Sequence, residues 1–280
     1  MPLGTVAFAT LLLLERRRPL RHITSDPNVR LARNVGISAV TGVTLQLAFL
    51  PLMSATARLI ERRRLGLLQR LPLGDAGRIA LSVVLLDYSY YWWHRLLHQI
   101  PLLWQFHVVH HADRDMDVST ALRFHFGEWL LSTPYRALTA LLLGTPERGI
   151  VAFELSMVLA IMFHHSNLRL PFRAERALCT YVVTPRMHGI HHSTIDCETN
   201  ANFSTLGAMW DRLHRTLRLD VPQDRIAIGL PGYREESSVS FGRMLAMPFE
   251  HDEHAHCIHR RPLLSFVPLP ERTNRPCLMP

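Results

Sequence analysis

The chain has no lysine, and all 31 of its basic residues are arginine, which gives a formal net charge of +8 over 280 residues. The arginines cluster at the ends of apolar runs, as at residues 16–18 and 62–64. This pattern is typical of charges that flank membrane segments, so we expect no nucleic-acid partner. Cysteine is also scarce: the four residues form no Cys-x-x-Cys pair, which argues against a disulfide framework and favours a reducing compartment.

The chain is instead rich in long uncharged runs, and 48% of its residues are hydrophobic. Residues 35–57 carry no charge and, at about 1.5 Å per residue, are long enough to cross a bilayer core of roughly 30 Å. They form the clearest predicted transmembrane helix. Residues 79–93 are a further apolar run, and residues 129–146 and 149–163 predict a helical hairpin. The run at 3–14 is too short to span alone, and we interpret it as part of a membrane helix.

The predicted organisation has three parts. Residues 1–78 are predicted to form N-terminal membrane helices with basic loops, residues 79–248 a catalytic domain, and residues 249–280 a flexible tail. No strand-like alternation persists, so the predicted fold is all-α: an integral-membrane helical bundle with a histidine-rich di-metal site that caps one membrane face. Histidines and a cysteine in the tail are interpreted as solvated residues rather than as another metal site. They are His251, His254, His256, His259 and Cys257.

Histidine spacing is the most informative pattern in the chain. The motif H-x-x-H-H occurs twice, at residues 107–111 and 188–192, and H-x-x-x-H occurs at residues 94–98. Residues three and four apart share one face of a helix, so each cluster presents its imidazoles together. The alternative is that these are ordinary surface or core histidines, but this does not explain why the same motif occurs twice. The clusters therefore predict metal binding, and their eight histidines suggest more than one ion.

Imidazole binds zinc, copper, iron and nickel, so the ligand type alone does not select the metal. With His125 and His165 as plausible additions, about ten imidazoles would divide between two ions of five or six ligands, which fits iron better than tetrahedral zinc. A zinc hydrolase would commonly carry H-E-x-x-H, which this chain lacks. Asp87 lies seven residues before His94 in an apolar run and is a candidate hydrogen-bond partner for an imidazole.

The segment 87–248 resembles the fatty acid hydroxylase / sterol desaturase superfamily of integral-membrane di-iron oxygenases. The resemblance rests on short motifs in a fixed order around the histidines. They are DYSYYWWHR at 87–95, PLLW at 101–104, the first H-x-x-H-H, DVSTALRFH at 117–125, Glu128, HSN at 165–167, TPRMHGIHH at 184–192, Asn202-Phe203 and WDRL at 210–213.

The resemblance implies a set of site residues. The implied metal ligands are His94, His98, His107, His110, His111, His125, His165, His188, His191 and His192. Residues expected beside the ligands are Asp87, Glu128, Asn167 and Asp211. His164 has no certain counterpart in the superfamily.

The resemblance also implies the chemistry: two iron ions, O2 as co-substrate, and oxidation of a C–H bond of a fatty acyl or sterol-type lipid. Electrons would come from a separate electron-transfer protein. The protein would be multi-pass, with its active site on the cytoplasmic face, and its oligomeric state is left open. Two alternatives remain, a membrane zinc-dependent hydrolase and a catalytically inactive membrane metal- or lipid-binding protein.

The chain departs from the superfamily pattern at a few positions. Phe126 follows His125 where proline is common, Ser204 stands where glycine is usual, and His214-Arg215 replaces Phe-Gly. These changes place Cβ atoms where glycine would allow close approach. We also predict an apolar pocket from the di-metal site towards the bilayer, walled by the helix around Tyr91 and by residues 129–143, with residues 202–210 capping the aqueous side.

Overall fold

The structure is a computed structural model that describes residues 2–250. Within that range it contains helices, 3-10 turns and three isolated backbone bridges, and no strand. The all-α prediction is therefore confirmed for the described residues. Residues 251–280, which include the histidines and cysteines of the proposed tail, lie outside the described residues, so the predicted flexibility of the tail stays a prediction.

Seven long helices build the fold, and short helices complete the polar C-terminal part. The long helices are α1 (Pro2–Arg17), α2 (Pro27–Thr44), α3 (Leu50–Arg63), α4 (Asp75–Gln99), α5 (Pro101–His111), α6 (Phe126–Leu143) and α7 (Glu147–His165). The short ones are α8 (Phe172–Leu178), α9 (Pro185–His191), α10 (Asp196–Thr199), α11 (Met209–Leu213) and α12 (Phe241–Ala246).

Helices α2 and α3 form one continuous rod. The side chain of Asp26 accepts the amides of Asn28 and Val29, and Pro27 occupies the first turn, so the rod begins at a well-formed cap. A π-helical turn at Leu45–Phe49 joins the two helices. Pro51 follows this turn and lacks the amide needed for regular α-helical bonding, which explains the local change of pitch.

Two helical segments are long and apolar enough to cross a membrane by length and composition, namely Pro27–Arg63 and Glu147–His165. They contain the predicted runs at 35–57 and 149–163. Their outer faces carry large exposed apolar side chains, among them Leu47 at 76% and Val151 at 58% exposure, which suits contact with lipid. The run at 79–93 lies within α4, and the run at 129–146 is helical up to the end of α6 at Leu143, but their membrane placement stays a prediction.

Charges inside the apolar hairpin of α6 and α7 pair with each other. Arg136 lies 2.5 Å from Glu154, and its guanidinium lies 5.0–5.4 Å from the ring centroids of Phe49, Tyr90 and Trp129. Charged groups at membrane depth are tolerated when they face the bundle and find partners. The pair therefore joins the two helices of the hairpin inside the bundle.

A buried acidic loop after α5 is fixed to α2. Arg30 donates to Asp113 through Nε at 3.0 Å and Nη2 at 2.9 Å, and to Asp117 through Nη1 at 2.6 Å. The nearby guanidinium groups of Arg30 and Arg123 lower the pKa of Asp113 despite its burial, so the carboxylate stays ionised. This network holds the end of α5, which carries the first H-x-x-H-H, against the N-terminal part of the bundle.

Candidate metal centre

The histidine clusters lie at the ends of four helices. His94 and His98 occupy the last two turns of α4, and residues 107–111 end α5. His165 is the last residue of α7, and residues 188–191 lie in the short helix α9, whose start is capped by Thr184. Because these four ends meet, residues distant in sequence share one buried region.

Nine imidazoles form two groups, and within each group the candidate ligand nitrogens all lie within 4.8 Å of one another. The first group is His94, His98, His107, His111 and His191; the second is His110, His165, His188 and His192. All nine residues are buried. The groups adjoin, since the rings of His111 and His192 stack at 4.4 Å.

The two H-x-x-H-H segments, residues 107–111 and 188–192, are called cassettes below, and each contributes histidines to both groups. His107 and His111, four residues apart in the first cassette, join the first group, while His110 joins the second. In the other cassette the assignment is reversed: His188 and His192 join the second group, and His191 joins the first. A helix of 3.6 residues per turn explains why the i and i+4 side chains stay together while the i+3 side chain diverges.

Nitrogen contacts in the second group fit a shared cation. Nε2 of His165 lies 2.9 Å from Nε2 of His110 and 2.9 Å from Nε2 of His188, and Nε2 of His192 lies 3.2 Å from that of His188. Two nitrogens that bind one ion at about 2.1 Å lie about 3.0 Å apart at right angles and about 3.4 Å apart in a tetrahedron. The observed contacts match the right-angled arrangement more closely.

Hydrogen bonds at the opposite ring nitrogens explain why these contacts need a cation. Nδ1 of His165 donates to the carbonyl of Ile161 at 2.8 Å, and Nδ1 of His110 lies 3.3 Å from the carbonyl of Arg123. A carbonyl only accepts, so in the neutral ring the proton sits on Nδ1 and Nε2 presents a lone pair. Two lone pairs at 2.9 Å repel unless a positive charge lies between them.

The first group shows the same arrangement. Nδ1 of His94 donates to the carbonyl of Phe203 at 2.8 Å, and Nδ1 of His191 donates to that of Ala201 at 2.7 Å. Nε2 of His107 and Nε2 of His191 are buried without a hydrogen-bond partner. Buried polar atoms without partners are costly in a native protein, and a metal ion would satisfy them.

Burial keeps the grouped imidazoles neutral. Desolvation, reinforced by the neighbouring imidazoles, lowers the pKa of several rings outside the candidate membrane helices well below the ordinary histidine value. These rings are His110, His111, His188, His191 and His192. A neutral imidazole is the form that binds metal, so the site is prepared for a cation at neutral pH.

Comparisons with known proteins agree with this geometry. The family model described as fatty acid hydroxylase matches residues 79–216, about half of the chain, and the match includes every histidine of both groups. The chain belongs to the fatty acid hydroxylase superfamily. The predicted resemblance is thereby confirmed.

Three curated relatives indicate the range of the superfamily. Ornithine lipid hydroxylase OlsE of Rhizobium tropici is 27% identical over 187 residues, which cover 67% of this chain and 55% of that protein. Alkylglycerol monooxygenase of Danio rerio is 28% identical over 164 residues, 57% of this chain and 34% of that protein. Cholesterol 25-hydroxylase of Mus musculus is 26% identical over 156 residues, 55% of this chain and 51% of that protein. The chain thus spans about half or less of each relative, and no solved structure matches it.

His125, predicted as a ligand of the fatty acid hydroxylase centre, lies outside both groups. Its Nδ1 accepts the amide of Gly127 at 3.0 Å, and its Nε2 lies 3.3 Å from the carbonyl of Leu245. Both ring nitrogens have protein partners, and the residue caps the start of α6. The structure gives His125 a helix-capping contact and places it apart from the grouped imidazoles, and its predicted role as a metal ligand remains to be tested by substitution.

The predicted neighbours of the ligands have different roles in the structure. Glu128 lies 3.1 Å from Nδ1 of His107. Asp211 accepts the amide of Phe203 at 2.9 Å, and the carbonyl of Phe203 accepts Nδ1 of His94, so Asp211 acts on that imidazole through one residue of the backbone. Both carboxylates fix the orientation of an imidazole, one directly and one indirectly.

The hydrogen bonds of Asp87 and Asn167 within the described residues go to groups other than an imidazole, so their predicted place beside the ligands stays a prediction. Asp87 accepts the indole of Trp210 at 2.6 Å and the amides of Leu206 and Gly207 at 3.1 and 3.0 Å, so its carboxylate organises the loop before α11. The side chain of Asn167 exchanges hydrogen bonds with the backbone of Arg21. It joins the end of α7 to the segment between α1 and α2.

His164 is a residue of the site whose place the sequence did not reveal. Its ring centroid lies 4.1 Å from that of His188 and 4.7 Å from that of His165, and the residue is 2% exposed. It lies beside the second group but is not part of it. Its adjacency to His165 at the end of an apolar run was the available signal.

Of the departures from the superfamily pattern, Ser204 and His214 make favourable contacts, whereas Arg215 has an unfavourable backbone conformation. Ser204 is buried, and its hydroxyl accepts the amide of Asp211 at 3.1 Å. His214 stacks on the ring of Tyr91 at 4.9 Å. Arg215 adopts φ +58°, a left-handed conformation that favours glycine, so the usual glycine is missing where the backbone still requires it.

A cleft opens between α4, α6 and α7, near the predicted walls of the lipid pocket. Its lining includes Tyr90, Tyr135, Ile150 and Phe153, together with the Arg136–Glu154 pair, but no histidine of either group. The cleft is small and Tyr91 does not line it, so the predicted lipid pocket and its channel to the metal centre stay predictions.

Proposed function

We propose that the chain is an O2-dependent lipid hydroxylase or desaturase-like monooxygenase with a histidine-ligated di-iron centre. Membership of the fatty acid hydroxylase superfamily and relatives named as lipid hydroxylases and monooxygenases support lipid oxidation. The observation that carries the metal assignment is the division of nine buried imidazoles into adjoining groups of five and four. Zinc in a structural or catalytic site normally takes four tetrahedral ligands, so a group of five imidazoles favours iron.

The residues of this chain prepare the site in three ways. Backbone carbonyls and Glu128 hold protons on Nδ1 of several rings, which turns the Nε2 lone pairs towards the group centres. Burial of the rings excludes water and keeps the imidazoles neutral. The crosswise sharing of the cassettes ties the two groups into one rigid unit.

Two iron ions bound in these groups would supply the oxidising power for conversion of a lipid C–H bond with O2. Hydroxylation inserts one oxygen atom into the C–H bond and releases the other as water, which consumes two electrons and two protons. We propose that a separate electron-transfer protein delivers the electrons. The substrate is a fatty acyl or sterol-type lipid, and the cleft between α4, α6 and α7 is the proposed route of entry from the bilayer.

The proposed placement is multi-pass, with the metal centre on the cytoplasmic face. Two candidate spans support membrane insertion. Neither of the two cysteines among the described residues, buried Cys179 and exposed Cys197, forms a disulfide bond, which suits a reducing compartment.

Metal content and isotope incorporation test this function together. We expect the full chain, purified in lipid nanodiscs, to contain two iron ions. Membranes from cells that express it should yield a lipid product labelled from 18O2. A matched pair of variants is His165→Ala, which removes a member of the second group, and His125→Ala, which removes the helix cap. Iron loss is expected only for the first. One zinc ion and no label would favour the hydrolase alternative, and little metal with no label would favour a binding protein.

A further inference from the structure

The ends of α1 and α7 meet at one level of the bundle. The amide of Arg169 donates to the carbonyl of Arg18 at 2.8 Å, and the amide of Leu20 donates to that of Asn167 at 2.7 Å. The second candidate span, Glu147–His165, ends at this level and carries the metal-group residue His165 there. Arginines 16, 17 and 18 and Arg169 are exposed at the same level.

The segment after α7 is unusually open for a folded chain. Between residues 171 and 182 only Glu175 and Cys179 are buried. The exposed side chains include Tyr181 at 75%, Leu178 at 39% and Phe172 at 38%. Exposed apolar side chains grouped in one segment mark an interaction surface rather than ordinary surface scatter.

The exposed charges of this surface have one sign. In residues 15–18 and 169–182 the carboxylates belong to Glu15 and Glu175, and both are buried, at 3% and 0% exposure. Glu15 accepts the amide of Asn167 at 2.8 Å, and Glu175 accepts Nε of Arg186 at 2.7 Å. The remaining charges are exposed arginines, namely Arg16, Arg17, Arg18, Arg169, Arg173 and Arg176.

We infer that residues 169–182, together with the arginines at 16–18, lie on the anionic headgroup layer of the bilayer that holds α7. Apolar and aromatic side chains beside arginines suit the boundary between headgroups and acyl chains, and basic residues next to a span are attracted to anionic lipid. The segment follows α7 directly in the chain. Glu175 in its helix α8 accepts a hydrogen bond from Arg186 at the start of α9. Contact with lipid headgroups therefore reaches the helix that carries His188 and His191.

Hydrogen–deuterium exchange on the full chain in nanodiscs tests the inference without a substrate or bound metal. Discs of phosphatidylcholine are compared with discs that also contain phosphatidylglycerol. We expect backbone amides of residues 171–182 to exchange about tenfold more slowly in the anionic discs. Peptides of α7 serve as the folding reference in every sample.

Charge reversal supplies matched variants. Arg173→Glu with Arg176→Glu is expected to abolish the slowing, whereas Arg62→Glu with Arg63→Glu changes the net charge equally and should leave it intact. The control pair lies at the end of α3, where Glu61 accepts the amide of Glu147 at the start of α7, the end of that helix opposite to His165.

Free exchange of residues 171–182 in both lipids overturns the inference. So does slowing that appears only when a soluble acidic protein, such as a plant-type ferredoxin, is added, because the surface would then dock a protein. Equal slowing in both kinds of disc also contradicts it, since neutral lipid would then suffice. These outcomes do not depend on iron content or lipid oxidation.

Discussion

The two H-x-x-H-H cassettes have the same motif, but their intervening residues have different surroundings. In the first, Val108 and Val109 pack into an apolar cluster with Trp104 and Ile37. In the second, the guanidinium of Arg21 lies on Gly189, where a Cβ atom would be only 2.2 Å from Nη1. The intervening residues thus differ: Val108 and Val109 contribute apolar packing, whereas Gly189 leaves room for a buried guanidinium.

The polar support of the second cassette extends beyond Gly189. Nη1 of Arg21 donates to the side chain of Gln223 at 2.5 Å and to the carbonyl of Pro185 at 3.3 Å. Burial lowers the pKa of Arg21 to about 10, and nearby Glu175 opposes that change. A helix as short as α9 contributes little stability of its own, so tertiary contacts such as these must hold His188, His191 and the adjoining His192 in place.

The largest effect is expected when a ligand of either cassette is removed. His110→Ala and His191→Ala should each lose at least one iron per chain and lower lipid oxidation by more than about 100-fold, while membrane insertion survives. His254→Ala and His256→Ala, which fall outside the described residues, should leave iron and activity unchanged. Iron analysis and product assay of the four proteins make the test. Equal losses in the tail variants would contradict the distinction between site and tail.

Substitutions between the histidines of each cassette test the difference between apolar packing and polar support. Gly189→Ala should displace Arg21, reduce stability by about 2–4 kcal/mol and weaken iron binding. Val108→Ala should reduce stability by about 1–3 kcal/mol but retain both ions, because apolar packing can partly relax. Unfolding in detergent and iron titration measure both effects.

A double-mutant cycle identifies the cause. If Arg21 is the obstacle, Gly189→Ala should cost much less in an Arg21→Ala background than in the parent chain. The same cost in both backgrounds would mean that the methyl group perturbs α9 by another route.

A smaller effect is expected at Glu128, which supports the first cassette alone. Glu128→Gln keeps an acceptor for Nδ1 of His107 but removes the negative charge, so iron affinity should fall about 10- to 100-fold. Glu235→Gln, at an exposed position, is the matched control and should change nothing. An iron titration in which the two variants behave alike would remove Glu128 from the account of the site.

The smallest effect concerns the backbone at Arg215. Because φ is +58° there, Arg215→Gly should raise the free energy of unfolding by about 0.5–1 kcal/mol. Iron content should not change, since Arg215 belongs to neither group. A thermal shift assay detects the gain, and Arg212→Gly within α11 is the control, with the opposite sign expected.

Nine of the ten ligands expected from the sequence come together because helix periodicity and neighbouring apolar runs fix where such clusters lie. The crosswise division was not predictable, since it depends on how α5 and α9 approach each other rather than on spacing within either. The capping contacts of His125 were not predictable, because its partners, the amide of Gly127 and the carbonyl of Leu245, come together only after α6 and the C-terminal segment have folded.

Long-range polar contacts explain the other differences. Asp87 resembled a partner for an imidazole on its own helix, yet its carboxylate faces Gly207 and Trp210 from a distant loop. Arg21 lies in a basic stretch and gave no sign of a role at α9. The glycine inside the second cassette was the one hint, because it marks a close approach whose partner the sequence does not name.

Spectroscopy of the residual metal in four single variants tests the crosswise sharing most directly. Iron X-ray absorption would compare His107→Ala and His110→Ala from the first cassette with His191→Ala and His192→Ala from the second. The account predicts that His107→Ala and His191→Ala leave one common residual site, and that His110→Ala and His192→Ala leave the other. Residual sites that instead sort by cassette, with His107→Ala matching His110→Ala, would contradict it.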